Sequence, residues 1–314
     1  MTVVLVGNAK SGRGLAARLT SRFRERLAQH GIRCLELTLN GDEANPVPRF
    51  DPQRFRGARA ILACGGDGTV NAVAEAAIRT QSPVYHIPAG NENLVARRYR
   101  MDRDPSTFLR ALAEHRVIQS DLGSAQGRRF LIMATVGPDA RVIERLHFGR
   151  TRALGHLAYL EPVLKEAVSP YLPHMTITVD GKNIVDDRPG WLIIANDREY
   201  ASRLNFASGA APTSRSLTAV FLPGSNLRDC VNWVLRAWTR RHTRDPRLVS
   251  AEGTHIRVEC PAGSSDPRLI FQLDGEHDPV IAERLSNGHT GRAAIEVTLD
   301  RETLPVLLPP AARV

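Results

Sequence analysis

The chain has 314 residues, of which 42% are hydrophobic and 24% are charged. These proportions are typical of a soluble globular protein, and the length favours two domains. No stretch approaches the ~18 consecutive apolar residues that would span a bilayer. The apolar start, residues 1–6, is short, has no positively charged leader and predicts a first strand, which favours a cytoplasmic location.

The formal net charge is +9, and nearly all of the basic residues are arginines. Such a surface attracts nucleotides, anionic lipid headgroups or nucleic acid. Aromatic residues make up only 5% of the chain, and no nucleic-acid-binding motif is present, so we expect no nucleic-acid partner. The cysteines show no metal-ligand spacing, which argues against a zinc site and against a disulfide framework. They are Cys34, Cys64, Cys230 and Cys260.

The first third of the chain alternates between strand and helix patterns. This alternation predicts a Rossmann-like parallel sheet with helices on both faces. The predicted strands are residues 3–6, 32–39, 60–64 and 84–87, and the predicted helices are residues 14–30, 70–79, 94–98 and 106–114.

After about Val117, short apolar runs alternate with Gly, Pro and Asp turns, which predicts a mainly antiparallel β-sandwich. We therefore expect an α/β nucleotide-binding domain over residues 1–120 and a β-rich substrate domain over residues 121–299. The predicted strands are residues 117–122, 129–135, 175–179, 191–195, 217–222, 255–259 and 269–273, and the predicted helices are residues 154–168 and 227–242.

The helix predicted from residue 227 contains tryptophans and ends in arginines, so one interpretation places it at a lipid interface. The favoured interpretation is that Val231, Val234, Leu235 and Trp238 pack onto the β domain.

The stretch Cys64-Gly65-Gly66-Asp67-Gly68-Thr69-Val70-Asn71 lies between a predicted strand and a predicted helix. Glycines at these places let backbone N–H groups point into one concavity, and the helix adds its positive N-terminal end. This arrangement suits a phosphate chain. An aspartate there indicates a nearby magnesium ion or a hydroxyl that loses its proton, although a capped strand-to-helix turn is the simpler alternative.

Two further loops follow predicted strands of the same sheet. Residues 7–14 read Gly-Asn-Ala-Lys-Ser-Gly-Arg-Gly, and residues 88–97 read Pro-Ala-Gly-Asn-Glu-Asn-Leu-Val-Ala-Arg. Ligands of open α/β sheets collect at the carboxyl ends of the strands, where these loops lie. The glycines of the first loop also fit a loose dinucleotide-binding pattern, but Gly12 follows Val6 by six positions, which disfavours a dehydrogenase.

The fourth motif, Asp274-Gly275-Glu276, follows the apolar run 269–273. Taken alone, it predicts a turn.

In this order the motifs resemble the diacylglycerol kinase catalytic-domain family, which includes bacterial diacylglycerol kinases and sphingosine kinases and is related to NAD kinases. The resemblance runs nearly end to end, through residues 8–14, 65–73, 88–97, 121–123, 130–140, 155–160 and 274–276. It implies an ATP- and Mg²⁺-dependent lipid kinase of lipid metabolism, with the nucleotide in a cleft between the domains and residues 300–314 returning to the first domain. It also allows peripheral contact with the inner face of a membrane and a homodimer.

The resemblance assigns roles to individual residues. Glu276 would be the general base, Asp274 and Asp67 would also be catalytic, and Asp67 would orient the acceptor hydroxyl or hold magnesium. The expected nucleotide-binding residues are Asn8, Lys10, Ser11, Gly12, Thr38, Gly65, Gly66, Gly68, Thr69, Asn71, Gly90, Asn91, Glu92 and Asn93.

Two alternatives stay open beside a kinase of diacylglycerol or a sphingoid base. Departures from the family pattern at Asn91, Leu94 and Ser214 suit a weakly active or inactive relative that binds nucleotide or lipid. A kinase of a soluble substrate, similar to NAD kinases, is the second.

Overall fold

The computed structural model describes residues 1–9, 11–39, 50–148, 165–166, 168–260, 269–277 and 294–312. The chain forms two compact units. The first consists of Met1–Asp121 together with Arg301–Val314, and the second consists of Leu122–Asp300.

The first unit is built on a mainly parallel sheet. The strands are β1 (Thr2–Gly7), β2 (Arg33–Thr38), β3 (Ala60–Gly65), β4 (Val84–Pro88), β5 (Val117–Ser120) and β16 (Leu304–Leu307). Their order in the sheet is β2-β1-β3-β4-β16-β5, and only β5 runs antiparallel to its neighbour. The helices are α1 (Leu15–Gln29), α2 (Asp67–Thr80), α3 (Leu94–Tyr99) and α4 (Pro105–Glu114).

Apolar runs explain why this sheet is covered on both faces. Every residue of β3 is buried, as expected for a central parallel strand with helices on each side. In α1, Leu19, Phe23 and Leu27 recur every four residues and are buried along one face. The predicted α/β fold of this part is confirmed.

Two boundaries differ from the sequence-based expectation. Helix α2 begins at Asp67, not at Val70, because Gly66 is the extended residue before the helix and the N–H of Thr69 already donates to the Gly66 carbonyl. The glycine in this first turn disfavours helix and so hides its start in the sequence. Strand β5 ends at Ser120 and pairs with β16, which places it in the first unit's sheet.

The second unit is antiparallel throughout its described strand pairs. The strands are β6 (Gly123–Ala125), β7 (Arg128–Phe130), β8 (Met133–Val136), β9 (His174–Val179), β10 (Lys182–Ala195), β11 (Leu217–Pro223), β12 (Val249–Gly253), β13 (His255–Glu259), β14 (Phe271–Leu273) and β15 (Ala294–Leu299). One path of neighbouring strands runs β12-β11-β10-β9-β13-β15-β6-β7, while β8 pairs with β10 and with β14. The helices are α5 (Pro138–Phe148) and α6 (Leu227–Trp238).

The long strand β10 joins two groups of strands. Its first half pairs with β9, with register shifts between Asn183 and Arg188, and its second half pairs with β8 and β11. Residues of both groups form one apolar core, including Phe130, Ile177 and Phe221. The predicted antiparallel β architecture is confirmed.

The strand predicted over residues 129–135 is divided into β7 and β8 by Leu131 and Ile132, whose N–H groups bond to a side chain elsewhere. The helix predicted over residues 154–168 falls almost entirely outside the described residues. Across the described ranges, no helix is both long enough and apolar enough to cross a membrane.

Candidate functional site

The carboxyl ends of four parallel strands finish at one level. In the register of the sheet, Gly7 lies beside Thr38 on one side and Cys64 on the other, and Gly65 lies beside Pro88. The loops that follow β1, β3 and β4 therefore start next to one another, as the sequence predicts for an open α/β sheet.

These three loops contact one another through glycines. A Cβ atom at Gly12 would lie 2.3 Å from the carbonyl oxygen of Ala89, and a Cβ at Gly90 would lie 2.6 Å from the Cα of Gly66. Neither distance is tolerated between such atoms, so side chains larger than hydrogen would force the loops apart. The glycines thus allow three loops from separate parts of the sequence to form one surface.

Hydrogen bonds fix the same contact. The carbonyl of Gly65 accepts from the N–H of Ala89 at 2.7 Å and from Nε2 of His86 at 3.0 Å. The side-chain amide of Asn93 accepts from the N–H of Gly90 at 2.8 Å and donates to the Gly90 carbonyl at 2.7 Å. Asn93 is buried and holds the third loop in shape, which is a different role from the ligand contact expected of it.

The predicted nucleotide-binding residues differ in their exposure. Three are buried under the loop surface, and these are Gly65, Thr69 and Asn93. Three are exposed, and these are Gly12, Thr38 and Asn91. The partly exposed members are Asn8, Ser11, Gly66, Gly68, Asn71, Gly90 and Glu92, while Lys10 lies outside the described residues.

Thr69 is buried beneath the second loop, where the sequence analysis expected it to bind the nucleotide. Its side chain is 1% exposed, its hydroxyl lies 3.5 Å from Nδ2 of Asn8, and a Cβ at Gly65 would come within 2.0 Å of that hydroxyl. Thr69 therefore links the first loop to the second from below.

Two helices begin at this surface without a side-chain cap. The residue before α1 is Gly14 and the residue before α2 is Gly66, and neither helix start receives a side-chain hydrogen bond there. The N–H groups of a first turn have no partner within their helix and carry partial positive charge, so they suit phosphate oxygens. Arg13, which the sequence analysis did not single out, lies between Gly12 and Gly14 in a left-handed conformation with φ of 52°.

Asp67 connects α2 to α3. Its Oδ2 accepts the N–H of Leu94 at 2.9 Å, and its Oδ1 accepts the N–H of Val95 at 3.0 Å. The carboxylate therefore caps α3, and each oxygen keeps a second lone pair for a cation or a hydroxyl. Among the described residues, no group of three or more His, Cys, Asp or Glu side chains is arranged to hold a metal ion. A magnesium ion here would need phosphate oxygens and water for the rest of its coordination.

His86 supports this carboxylate from within the sheet. Its ring is fully buried, with Nε2 on the Gly65 carbonyl and Nδ1 4.0 Å from Oδ1 of Asp67. Burial lowers the pKa of His86 below its ordinary value of 6.5, and the negative charge of Asp67 opposes that shift. A histidine in an otherwise apolar strand, two residues before Pro88, was the available signal for this position.

In the second unit, residues 274–276 form the turn of a tight hairpin. Leu273 and Glu276 exchange backbone hydrogen bonds across it, and the two central residues, Asp274 and Gly275, have φ of 51° and 80°. Positive φ at both positions defines a type I′ turn, for which Asp-Gly is a preferred pair. Glu276 follows the turn with an exposed side chain.

Asp274 connects this turn to the adjacent segment of the same unit, residues 131–133. Its carboxylate accepts the N–H groups of Leu131, Ile132 and Met133 at 2.6, 2.8 and 3.0 Å. Leu131 and Ile132 lie between β7 and β8, and Met133 begins β8. The geometry therefore gives Asp274 a positioning role: it fixes the turn that carries Glu276.

A chain of side-chain hydrogen bonds leads away from the turn. The N–H of Gly275 donates to Gln272, Gln272 donates to Thr135, and Thr135 donates to Oδ2 of Asp139 at 2.7 Å. The hydroxyl of Tyr200 donates to the same oxygen at 2.6 Å. Burial raises the pKa of Asp139, and burial together with the Asp139 charge raises the pKa of Tyr200 well above 10. Polar residues scattered over four segments gave no sequence signal for this network.

A family model named "Diacylglycerol kinase catalytic domain" matches residues 2–125. This range contains the three glycine-rich loops and Asp67. Residues 2–125 are therefore similar to a diacylglycerol kinase catalytic domain. The resemblance stated from the motifs is confirmed.

Relatives of known sequence support the same assignment. The "probable lipid kinase YegS-like" protein of Pseudomonas aeruginosa (strain UCBPP-PA14) is 35% identical over 106 residues. That match covers 33% of this chain and 35% of the relative, so the chain spans about a third of the length of the curated relative. This similarity agrees with the family-model match.

Solved structures extend the likeness to the whole fold. The crystal structure of a diacylglycerol kinase from Bacillus anthracis is 16% identical and aligns with a TM-score of 0.69 over 99% of this chain and 98% of its own. A second structure from that bacterium is 13% identical, with a TM-score of 0.71 over 99% of this chain and 96% of its own. At these identities the likeness shows the fold.

The first unit thus presents backbone N–H groups, two uncapped helix starts and the Asp67 carboxylate on one loop surface. Such a surface can bind an anionic chain and place one carboxylate beside it. These groups can position a bound anion and neutralise part of its charge.

Proposed function

We propose that this protein is an ATP- and Mg²⁺-dependent kinase that transfers the γ-phosphoryl group to the hydroxyl of a lipid such as diacylglycerol or a sphingoid base. The observation that carries the proposal is the contact of three glycine-rich loops at the uncapped starts of α1 and α2. The family assignment of residues 2–125 makes a phosphate chain the expected occupant.

In this proposal the exposed and partly exposed residues of the three loops bind the nucleotide. Backbone N–H groups around Gly12, Gly66 and Gly68 bind phosphate oxygens, and Asn8 and Ser11 add side-chain donors. Thr38, at the end of β2, is the candidate for a contact with the nucleoside. Mg²⁺ bound to the phosphates would supply charge neutralisation, and Asp67 would hold it through the lone pairs that do not cap α3.

Glu276 is the proposed general base. It would take the proton from the lipid hydroxyl as that oxygen forms its bond to the γ-phosphorus, while the bond from the γ-phosphorus to the β-phosphate oxygen breaks and ADP leaves. Asp274 acts on this step through the turn that it fixes. The β-rich unit is proposed to receive the acyl chains, which rests on likeness of fold alone.

The test is transfer of label from γ-labelled ATP with Mg²⁺ to mixed micelles that contain diacylglycerol, monoacylglycerol or a sphingoid base. We expect label on one of these lipids with the native protein and a loss of about 100-fold or more in kcat with Glu276→Gln. Glu114→Gln is the matched control, because Glu114 is exposed at the end of α4. Transfer by Glu276→Gln at the native rate would contradict the assignment of the base.

The same assay separates the alternatives. Both oxygens of Asp67 and of Asp274 are engaged by backbone N–H groups, and this observation favours a relative that binds nucleotide with little transfer. ATP binding without label on any lipid, and without ATP turnover, would support that second candidate. ATP turnover that depends on a water-soluble alcohol would instead support a soluble acceptor.

A further inference from the structure

Helix α6 exposes a stripe of large apolar side chains. Leu227, Val231, Val234, Leu235 and Trp238 are 41, 47, 36, 54 and 72% exposed. Their spacing of four, three, one and three residues places them along one face of the helix. The favoured sequence interpretation, that Val231, Val234, Leu235 and Trp238 pack onto the β domain, is therefore wrong.

The opposite face of α6 is the one that packs. Trp233 is 1% exposed and Ala237 is 2% exposed. The indole N–H of Trp233 donates to the carbonyl of Pro223 at 2.9 Å, and the guanidinium of Arg247 lies 5.2 Å from the centre of the indole ring system. Because the inner face is held by these contacts, the outer stripe is a fixed feature of the folded unit. The sequence-based interpretation was wrong because the buried residues of the helix are Trp233 and Ala237, on the other face.

The charges beside the stripe are positive. Arg228 is exposed on the helix, and Arg240, Arg241 and Arg244 are exposed in the segment that follows Trp238. The acidic residues nearby turn inward. Asp229 accepts the backbone N–H of Ser225, and the buried Asp245 pairs with Arg247 at 2.9 Å. An apolar stripe bordered by arginines is complementary to a surface that combines hydrocarbon with negative headgroups.

A stripe of this kind is unfavourable in water, and single exposed apolar residues do not account for five on one helix face. Tryptophan is the side chain that prefers the boundary between headgroups and acyl chains, and Trp238 is the most exposed of the five. Arginine side chains next to it can lay their apolar stems on the lipid and reach the phosphates.

We propose that α6 docks this protein on anionic lipid bilayers, with the 227–238 stripe in the interface and Arg228, Arg240, Arg241 and Arg244 on lipid phosphates. The proposal deepens the proposed function, since a lipid acceptor lies in a membrane. It assigns to α6 the contact with the bilayer surface, which is separate from the loops and from Glu276.

The first test follows binding to phosphatidylcholine vesicles with and without phosphatidylglycerol, by co-sedimentation and by tryptophan emission. Of the three tryptophans, Trp191 and Trp233 are buried, so a shift of the emission to shorter wavelength reports on Trp238. We expect this shift with phosphatidylglycerol vesicles, its weakening as salt is raised, and its loss in Trp238→Phe.

Leu235→Glu is expected to weaken vesicle binding by about 10-fold or more, because one buried leucine is lost from the interface and a negative charge is added. The matched control is Leu35→Glu, which makes the same change at a leucine of β2 that is 38% exposed. Both positions are exposed, so both variants are expected to fold, and circular dichroism checks this. Equal binding by both variants, or no binding by the native protein, would overturn the proposal.

Two further readouts distinguish membrane docking from a dimer interface and from an effect on catalysis. A native dimer that Leu235→Glu converts to a monomer, without vesicle binding, would assign the stripe to a second copy of the chain and overturn the membrane proposal. The vesicles contain neither ATP nor acceptor, so binding is measured without catalysis. Phosphoryl transfer to a dispersed short-chain diacylglycerol measures catalysis without a bilayer, and we expect Leu235→Glu to leave it unchanged.

Discussion

The carboxylate of Asp67, in the first turn of α2, accepts a hydrogen bond from the backbone N–H of Leu94, in the first turn of α3, over 2.9 Å. The two residues are 27 positions apart, and the bond joins the loop after β3 to the loop after β4. Leu94 is one of the departures from the family pattern named in the sequence analysis, but this contact uses only its backbone. The contact therefore does not depend on the substituted side chain.

Replacing Asp67 should reduce both stability and nucleotide binding. Asp67→Ala removes the acceptor of two backbone N–H groups, and we expect the free energy of unfolding to fall by about 3 kcal/mol. We also expect ATP binding to weaken, because the third loop loses its attachment. Urea unfolding and ATP titration measure the two effects.

Asp104→Ala is the control for this prediction. Asp104 caps α4, a helix that is not part of the three loops, by accepting the N–H of Ser106. Its loss should lower stability by about 1 kcal/mol and leave ATP affinity unchanged. Equal losses of ATP affinity in both variants would show that stability, and not the loop attachment, governs binding.

His86 should make the stability of the protein depend on pH. Burial lowers its pKa below 6.5 in the folded chain, so the unfolded chain binds a proton at a higher pH than the folded chain does. The free energy of unfolding should therefore fall as the pH drops below about 6.5, by up to about 1.4 kcal/mol per pH unit for this one group. Urea unfolding between pH 7.5 and 5 measures this slope.

His86→Gln should make that slope shallower while keeping a donor for the Gly65 carbonyl. Burial also lowers the pKa values of His115 and His242, which add to the slope that remains. Burial raises the pKa values of Asp139 and Glu166, and these two carboxyl groups oppose that slope. An identical slope in His86→Gln and the native protein would contradict the account of a buried neutral ring.

Replacing Asp274 should change the stability of the protein, whereas replacing Glu276 should change kcat. Asp274→Ala leaves three backbone N–H groups without their acceptor and should lower the free energy of unfolding by about 3 kcal/mol. Glu276→Gln should leave unfolding unchanged, because the side chain is exposed, and should lower only kcat. Unfolding curves and initial rates on the same preparations measure this; destabilisation by Glu276→Gln would assign that residue to the fold instead.

Tyr200→Phe should lower the free energy of unfolding more than Tyr99→Phe does. The phenol of Tyr200 donates to a buried carboxylate oxygen of Asp139, and its loss should lower the free energy of unfolding by about 2 kcal/mol. The matched control is Tyr99→Phe, whose hydroxyl donates to the neutral hydroxyl of Ser120 at 3.2 Å and should cost about 1 kcal/mol. Equal losses in thermal or urea unfolding would indicate that Asp139 is protonated and neutral.

The sequence predicted the fold well where local pattern and burial agree. The four-residue repeat of Leu19, Phe23 and Leu27 gave α1, and the apolar run that ends at Gly65 gave β3. The meeting of three loops followed from the rule that the carboxyl ends of parallel strands share one edge.

Contacts between distant segments could not be predicted from the sequence. Nothing local indicates that Asp67 caps a helix 27 residues away, or that Asp274 holds the N–H groups of residues 131–133. The predicted packing of α6 was wrong for a related reason. Helical spacing shows that Val231, Leu235 and Trp238 share a face, but it does not show which face meets the protein.

The central claim is that the three glycine-rich loops form one phosphate-binding surface, and calorimetric titration of Mg²⁺-ATP tests it most directly. Gly90→Ala places a Cβ 2.6 Å from the Cα of Gly66 and should weaken ATP binding by about 100-fold, since the loops must separate. Gly57→Ala, a glycine with φ of 74° and no atom within 4 Å of its added Cβ, should bind ATP as the native protein does. Native affinity in Gly90→Ala, or no ATP binding by the native protein, would contradict the claim.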